Sequence, residues 1–204
     1  MKLNLLKNRC TISQKKISSA RKLSKSKIQI SIESAFKNLA LKNSKIDLNL
    51  TEHDEFNKNG INNIEVLYRP SEESSPKILS KIASGGEKSR ILFALKSILS
   101  KKIDLPTLVF DEIDSGTSGE IANAIGKMMK IMGKKIQIIA ITHLPQVASL
   151  ADYHYKVFKI EKEKNISTNI KKLDTSSRIE EIASMISGEN ITESAINQAQ
   201  ELLK

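Results

Sequence analysis

The sequence predicts an α/β lobe from which a long N-terminal helix protrudes. Three observations point there. From Leu6 to about Leu41 no Gly or Pro interrupts a helical spacing of apolar residues. Two short apolar runs with β-branched residues, "LPTLVF" and "KIQIIAIT", bracket a helical stretch, as in a strand–helix–strand unit. Finally, a chain with only eight glycines places two of them, Gly85 and Gly86, together in front of a further helical run.

The first helix carries Leu6, Cys10, Ile17, Ala20, Ile28, Ile32, Ala35 and Leu39 mostly three, four or seven residues apart. That imperfect heptad predicts one arm of a coiled coil, with Ser24 and Ser31 weakening the seam, and such an arm needs a partner. Residues 1–43 are therefore expected to form the arm and 44–204 the lobe. "KIDLNLTEH" and "INNIEVLYRP" alternate like strands around an Asn/Gly-rich turn. A Ser/Glu/Pro loop leads to the glycine pair and a helix ending near Lys101. The runs after Leu105 and Lys135 predict central strands buried on both faces, joined through "TSGEIANAIGKMMKIM" by a right-handed parallel crossover. A short helix in "PQVASLA", a hairpin from "HYKVFKIEK" and "NISTNIKKL", a helix opened by a Ser177-x-x-Glu180 capping box and a last helix from Thr192 complete the order.

Composition narrows the function. With 39% hydrophobic residues, 4% aromatics and no Trp, the core must be built mainly from aliphatic side chains and Met. Apolar runs fall well short of the roughly 20 residues of a membrane helix, and "MKLNLLKNRCTISQKK" lacks a signal peptide's apolar segment. One cysteine, Cys10, excludes an internal disulfide. A soluble cytoplasmic protein without membrane association is expected. The net charge is +10; residues 1–45 hold twelve Lys/Arg against one acid, Glu33, and so carry +11, while the rest sums to −1. Lys15, Lys16, Arg21, Lys22, Lys25 and Lys27 form the candidate DNA-tracking stretch. A solvated helix accounts equally well for that charge.

Two predicted strands end in polar groups: "TLVFDE" delivers Asp111 and Glu112, and "IIAITH" delivers His143. In open α/β sheets ligands bind beyond the carboxyl ends of the strands. An apolar run followed by Asp-Glu suits a magnesium–phosphate site, one acid holding the ion's water shell and the next activating water. Taken alone the pattern is weak, and a solvated turn gives it as readily. Ser84-Gly85-Gly86-Glu87 fits a capping box, but capping does not require two glycines, each costing about 1 kcal/mol relative to Ala inside a helix. A helix start open to a bulky anion explains the pair better.

In sequence, "ASGGEKSR", "TLVFDEIDSGTSG" and "IAITHLPQVASLAD" resemble the signature, Walker B, D-loop and switch-histidine series of ABC-type ATPases. Their wording is similar to the RecN family of bacterial recombination and DNA-repair ATPases related to SMC proteins. "ISSARKLSKSKIQISIESAFKNLAL" is similar to that family's returning coiled-coil arm and "RIEEIASMISGENITESAINQAQELL" to its C-terminal end, so the resemblance covers nearly the whole chain. It implies the C-terminal lobe of an ABC/SMC-like P-loop NTPase head with a protruding N-terminal coiled-coil helix. It implies ATP and Mg²⁺ as cofactors, DNA and a second head as partners, and a nucleoid-associated location. Ser84, Gly85 and Gly86 would meet the γ-phosphate of ATP held by the opposite subunit. Asp111 would help hold Mg²⁺ through water, Glu112 would be the general base, Asp114 would lie in the loop between heads, and His143 would contact the γ-phosphate.

One departure matters. The family's G-x-x-x-x-G-K-[ST] phosphate cradle is absent: Gly126-Lys127 is followed by Met128 with Ile121 in the first-glycine position, and Gly133-Lys134 by Lys135 with Met128 there. The chain therefore resembles the C-terminal portion of the family, whose N-terminal half carries Walker A, and is expected to be inactive alone. A truncated chain, a split gene and a decayed reading frame all fit. The alternative class is a non-catalytic DNA-binding or assembly module. A serine hydrolase, with Ser84, Asp111 and His143 in order, lacks the G-x-S-x-G elbow, since residues 82–86 read Ile-Ala-Ser-Gly-Gly.

Overall fold

The computed structural model describes residues 2–53, 55, 57–81, 85–111, 113, 117, 119–162 and 165–204. It is α/β and divides into two compact units, Met1–Ile98 and Leu99–Lys204.

The first unit begins with helix α1 (Lys2–Lys37), followed by strands β1 (Lys45–Glu52), β2 (Asn62–Arg69) and β3 (Lys77–Ile78) and helix α2 (Gly85–Leu99). The β1–β2 hairpin is antiparallel, in register from Lys45 opposite Arg69 to Glu52 opposite Asn62, and β3 adds antiparallel to β2. Its turn closes on Gly60, whose φ is +93° and where a Cβ would lie 3.2 Å from Arg21 Nη1. Only glycine combines that backbone with so close an approach by α1. Phe36, Leu39, Ile46 and Tyr68 are fully buried or nearly so, with Phe36 and Tyr68 edge to face, centroids 6.4 Å apart.

The side of α1 that meets the hairpin differs from the expected apolar seam. It runs Gln14, Ser18, Arg21, Lys25, Gln29, Ile32 and Phe36, spaced three and four apart, and is apolar only at its C-terminal end. Ser18 is 4% exposed; its Oγ donates to Glu52 at 2.9 Å and accepts from Asn62 Nδ2 at 3.1 Å. Gln29 Nε2 donates to the Ile46 carbonyl at 2.9 Å. Hydrogen bonds thus seat the middle of the helix, while Leu6, Ile12, Ile17, Leu23 and Ile28 remain exposed.

The second unit contains β4 (Thr107–Asp111), α3 (Gly119–Gly133), β5 (Gln137–Ile141), α4 (Pro145–Ala148), β6 (Tyr155–Lys162), β7 (Asn165–Lys172), α5 (Thr175–Ser187) and α6 (Glu193–Leu202). β4 and β5 pair in parallel through α3, and β6 and β7 form an antiparallel hairpin. Ala122, Ile125, Met129 and Met132, three or four apart, make the buried stripe of α3. A separate cluster joins Ala148 of α4 to Ile182 and Ala183 of α5 and Ala195 and Ala199 of α6.

Two expectations for this unit are corrected. β4 and β5 are not buried on both faces: Phe110 is buried, but Val109, Ile139 and Ile141 are 52%, 45% and 55% exposed. Val109 and Ile139 pair in register and so share a face, and among the described residues this sheet has two strands, one side of which stays open. The start of α5 is the other case. Asp174, not Ser177, is the N-cap; its carboxylate accepts from the Ser177 amide at 2.8 Å and from Ser176 Oγ at 3.0 Å. These bonds hold its carboxyl below the usual range.

Candidate nucleotide site

The parallel register of β4 and β5 sets the site. Asp111 is the last residue of β4 and pairs with Ile141, the last of β5, so both strands end level. Two residues beyond Ile141 comes His143, and both Asp111 and His143 are exposed at this carboxyl edge. A strand-end carboxylate is a hard oxygen donor of the type that suits Mg²⁺ through water. No group of three His, Cys, Asp or Glu side chains forms a metal cluster among the described residues. Asp111 thus offers a single carboxylate at this edge among the described residues. Glu112, Asp114 and Ser84 lie outside the described residues.

His143 occupies a constrained segment. The Leu144 amide donates back to Thr142 Oγ1 at 3.0 Å, spanning the histidine. Pro145 opens α4, and the Val147 and Ala148 amides both donate to the Leu144 carbonyl at 3.1 Å. α3 comes close to α4 because Gly126 lacks a Cβ, which would sit 2.8 Å from Leu150 Cδ1 and 3.2 Å from the Gln146 carbonyl. Beyond α4, Lys130 pairs with Asp152 at 2.6 Å, holding that carboxyl below its usual range.

In the first unit, Gly85 and Gly86 form the first turn of α2. A Cβ on Gly85 would meet nothing within 4 Å. Among the described residues, neither a positive φ nor a crowding neighbour accounts for that glycine. Glu87, one residue past the pair, accepts from Tyr68 Oη at 3.4 Å.

The six candidate DNA-contacting residues fall into two groups. Arg21 donates to Asn62 Oδ1 at 3.2 Å and to the Asn59 carbonyl at 2.6 Å, Lys22 pairs with Glu52 at 2.7 Å and Lys25 with Asp47 at 3.0 Å. Lys15, Lys16 and Lys27 are exposed on α1. Among the described residues no helix is long and apolar enough to cross a membrane.

Comparison with known proteins decides the family. The chain is 41% identical over 167 residues to the DNA repair protein RecN of Rickettsia bellii, covering 82% of this chain and 30% of that one. It is 34% identical over 189 residues to RecN of Haemophilus influenzae, covering 92% and 34%. For RecN of Bacillus subtilis the values are 40% over 145 residues, 71% and 25%. The chain belongs to the RecN family. It spans about a quarter to a third of the length of these curated relatives. No family model matches it.

Solved structures place its fold among SMC heads. The Smc head domain with a coiled coil and joint from Pyrococcus yayanosii matches with TM-score 0.60 at 19% identity, covering 94% of this chain and 32% of that one. An Smc head bound to the C-winged helix domain of ScpA matches with TM-score 0.57 at 19% identity, covering 80% and 48%. This RecN-family chain therefore has the fold of an SMC-like ATPase head lobe with a long N-terminal helix.

Sequence reasoning missed one residue in this region. Arg178, on α5, donates from Nη2 to the carbonyls of Ala148, Ser149 and Ala151 at 3.3, 2.8 and 2.5 Å. The missed signal was an arginine four residues past the Asp174 cap, close to one turn into the helix.

Proposed function

We propose that this chain supplies the C-terminal part of a RecN-type ATPase that acts in recombinational repair of DNA double-strand breaks. Residues 1–43 are read as the returning coiled-coil arm and 44–204 as the lobe. ATP would be bound between two heads. Ser84, Gly85 and Gly86 of one head would present the α2 start to the γ-phosphate held by the other, where backbone N–H groups and the helix dipole favour an anion. Asp111 would hold a water-coordinated Mg²⁺, which when bound screens phosphate charge. Glu112 would accept the proton of the attacking water, His143 would hold the γ-phosphate, and Asp114 would lie in the loop crossing between heads.

The observation that carries this reading is the level ending of β4 and β5, which puts Asp111 and His143 on one sheet edge. Gly85 adds support, since nothing among the described residues crowds it and an external group coming close to the backbone would explain the glycine. With no phosphate cradle in the sequence, the chain alone is expected to bind ATP negligibly. Equilibrium dialysis against labelled ATP tests that, and tight binding by the chain alone refutes it.

A second reading, a DNA-binding or assembly module without turnover, is favoured by the exposed Lys15, Lys16 and Lys27 on a helix carrying most of the net positive charge. Salt-sensitive DNA binding with no ATPase activity in any mixture would establish it.

A further inference from the structure

We propose that Arg178 is a positioning residue for His143, acting through the short helix α4. The inference rests on the reading of His143 as a γ-phosphate contact, but its structural half is testable alone. α4 has only four residues, Pro145–Ala148, too few to hold its own geometry in water. At such a helix end the last carbonyls have no partner within the helix. The two N–H groups of Arg178 Nη2 serve the carbonyls of Ser149 and Ala151 at 2.8 and 2.5 Å and share the longer 3.3 Å contact to Ala148, whose carbonyl also accepts from the Ala151 amide. These are charge-assisted bonds at the end of the helix where the dipole favours a cation.

The other end of α4 is joined to His143 by a single residue, Leu144, whose carbonyl receives the first helical amides and whose amide is tied to Thr142 Oγ1. A shift of α4 therefore carries His143 with it. Gly126 of α3 sets how close α4 can approach on one side, and Ala148 packs into the α5–α6 cluster on the other. Arg178 adds what packing does not: a directional anchor from α5 that fixes where the helix ends. Burial pulls the Arg178 pKa down, yet an arginine stays charged across the working range, so the anchor does not switch with pH.

The test uses the full chain with labelled histidines, the His143 signal being assigned by His143→Asn. Arg178→Ala should raise amide exchange across residues 147–151 at least tenfold and shift or broaden the His143 imidazole signal, with protection in α6 retained. Arg178→Lys, which keeps a charged donor, should recover part of both. Unchanged exchange and an unchanged His143 signal in Arg178→Ala would overturn the proposal. If that variant fails to fold, Arg178→Gln carries the same comparison. In a mixture with a nucleotide-binding RecN half, Arg178→Ala should lower kcat about tenfold with KM for ATP little changed, and should add nothing to His143→Asn. Turnover unaffected by His143→Asn would remove the phosphate role of His143 and leave the Arg178 anchor to be judged on the chain's own signals.

Discussion

Asp111 and Ile141 face each other as the last paired residues of two parallel strands, and His143 follows two positions on. The proposed site is thus set by register. A slip of one residue in β5 would invert its faces and move His143 by about 3.3 Å along the strand.

Gly85 should separate folding from nucleotide binding. Among the described residues, a methyl group there meets no atom within 4 Å. Gly85→Ala should leave the melting temperature unchanged or raise stability by up to about 1 kcal/mol, because alanine is the better helix former. The same substitution should weaken ATP-dependent pairing of heads at least tenfold in sedimentation analysis. Loss of stability instead would mean that the fold requires the glycine.

The two faces of the β4–β5 pair should respond differently. Phe110→Ala should cost about 3–5 kcal/mol in urea unfolding, since Phe110 is 2% exposed. Ile139→Thr, on the open face at 45% exposure, should cost under about 1 kcal/mol. Equal losses would show that the open face is covered in solution.

Much of this architecture is legible in the sequence. The alternation in 45–53 and 61–70, the apolar runs before Asp111 and Thr142 and the turn signals between them each correspond to a strand. The side of α1 that packs within the chain is less legible. Its apolar stripe reads as a seam for a coiled-coil partner, whereas Ser18, Arg21 and Gln29, on the side that meets the hairpin, reach hydrogen-bond partners more than fifteen residues away, and no local pattern announces those. At α5, Ser177-x-x-Glu180 and Asp174-x-x-Ser177 are both capping patterns, and the carboxylate wins as the stronger acceptor. The site is legible only as a series of short motifs at strand and helix ends. Arg178 is not, because its partners are main-chain carbonyls.

Acid should destabilise the second unit in a specific window. His154 is partly enclosed, and burial together with the neighbouring Arg178 charge lowers its pKa below the usual 6.5. The unfolded chain therefore binds this proton at higher pH than the folded one. Stability is complete above about pH 6.5 and declines as pH falls through the folded-state pKa. His154→Asn should flatten that part of the curve in thermal melts taken from pH 7.5 to 5. An unchanged slope would remove His154 as its source.

The arm lysines should behave as two groups. Changing Lys15, Lys16 and Lys27 to Ala should weaken DNA binding and reduce the salt slope, by about 0.9 for each phosphate no longer neutralised. Lys22→Ala should disturb the pairing with Glu52 and let that carboxyl titrate closer to its ordinary range. DNA affinity unmoved by the triple change would assign the charge to solvation.

The most direct test of the ATPase assignment is turnover by this chain mixed with a RecN half that carries the phosphate cradle, using the native chain and Glu112→Gln side by side. Neither chain alone should hydrolyse ATP. The native mixture should do so, and Glu112→Gln should lose at least a hundredfold in rate while ATP still brings the heads together. Equal turnover with and without Glu112, or none in a mixture that demonstrably associates, would contradict the assignment.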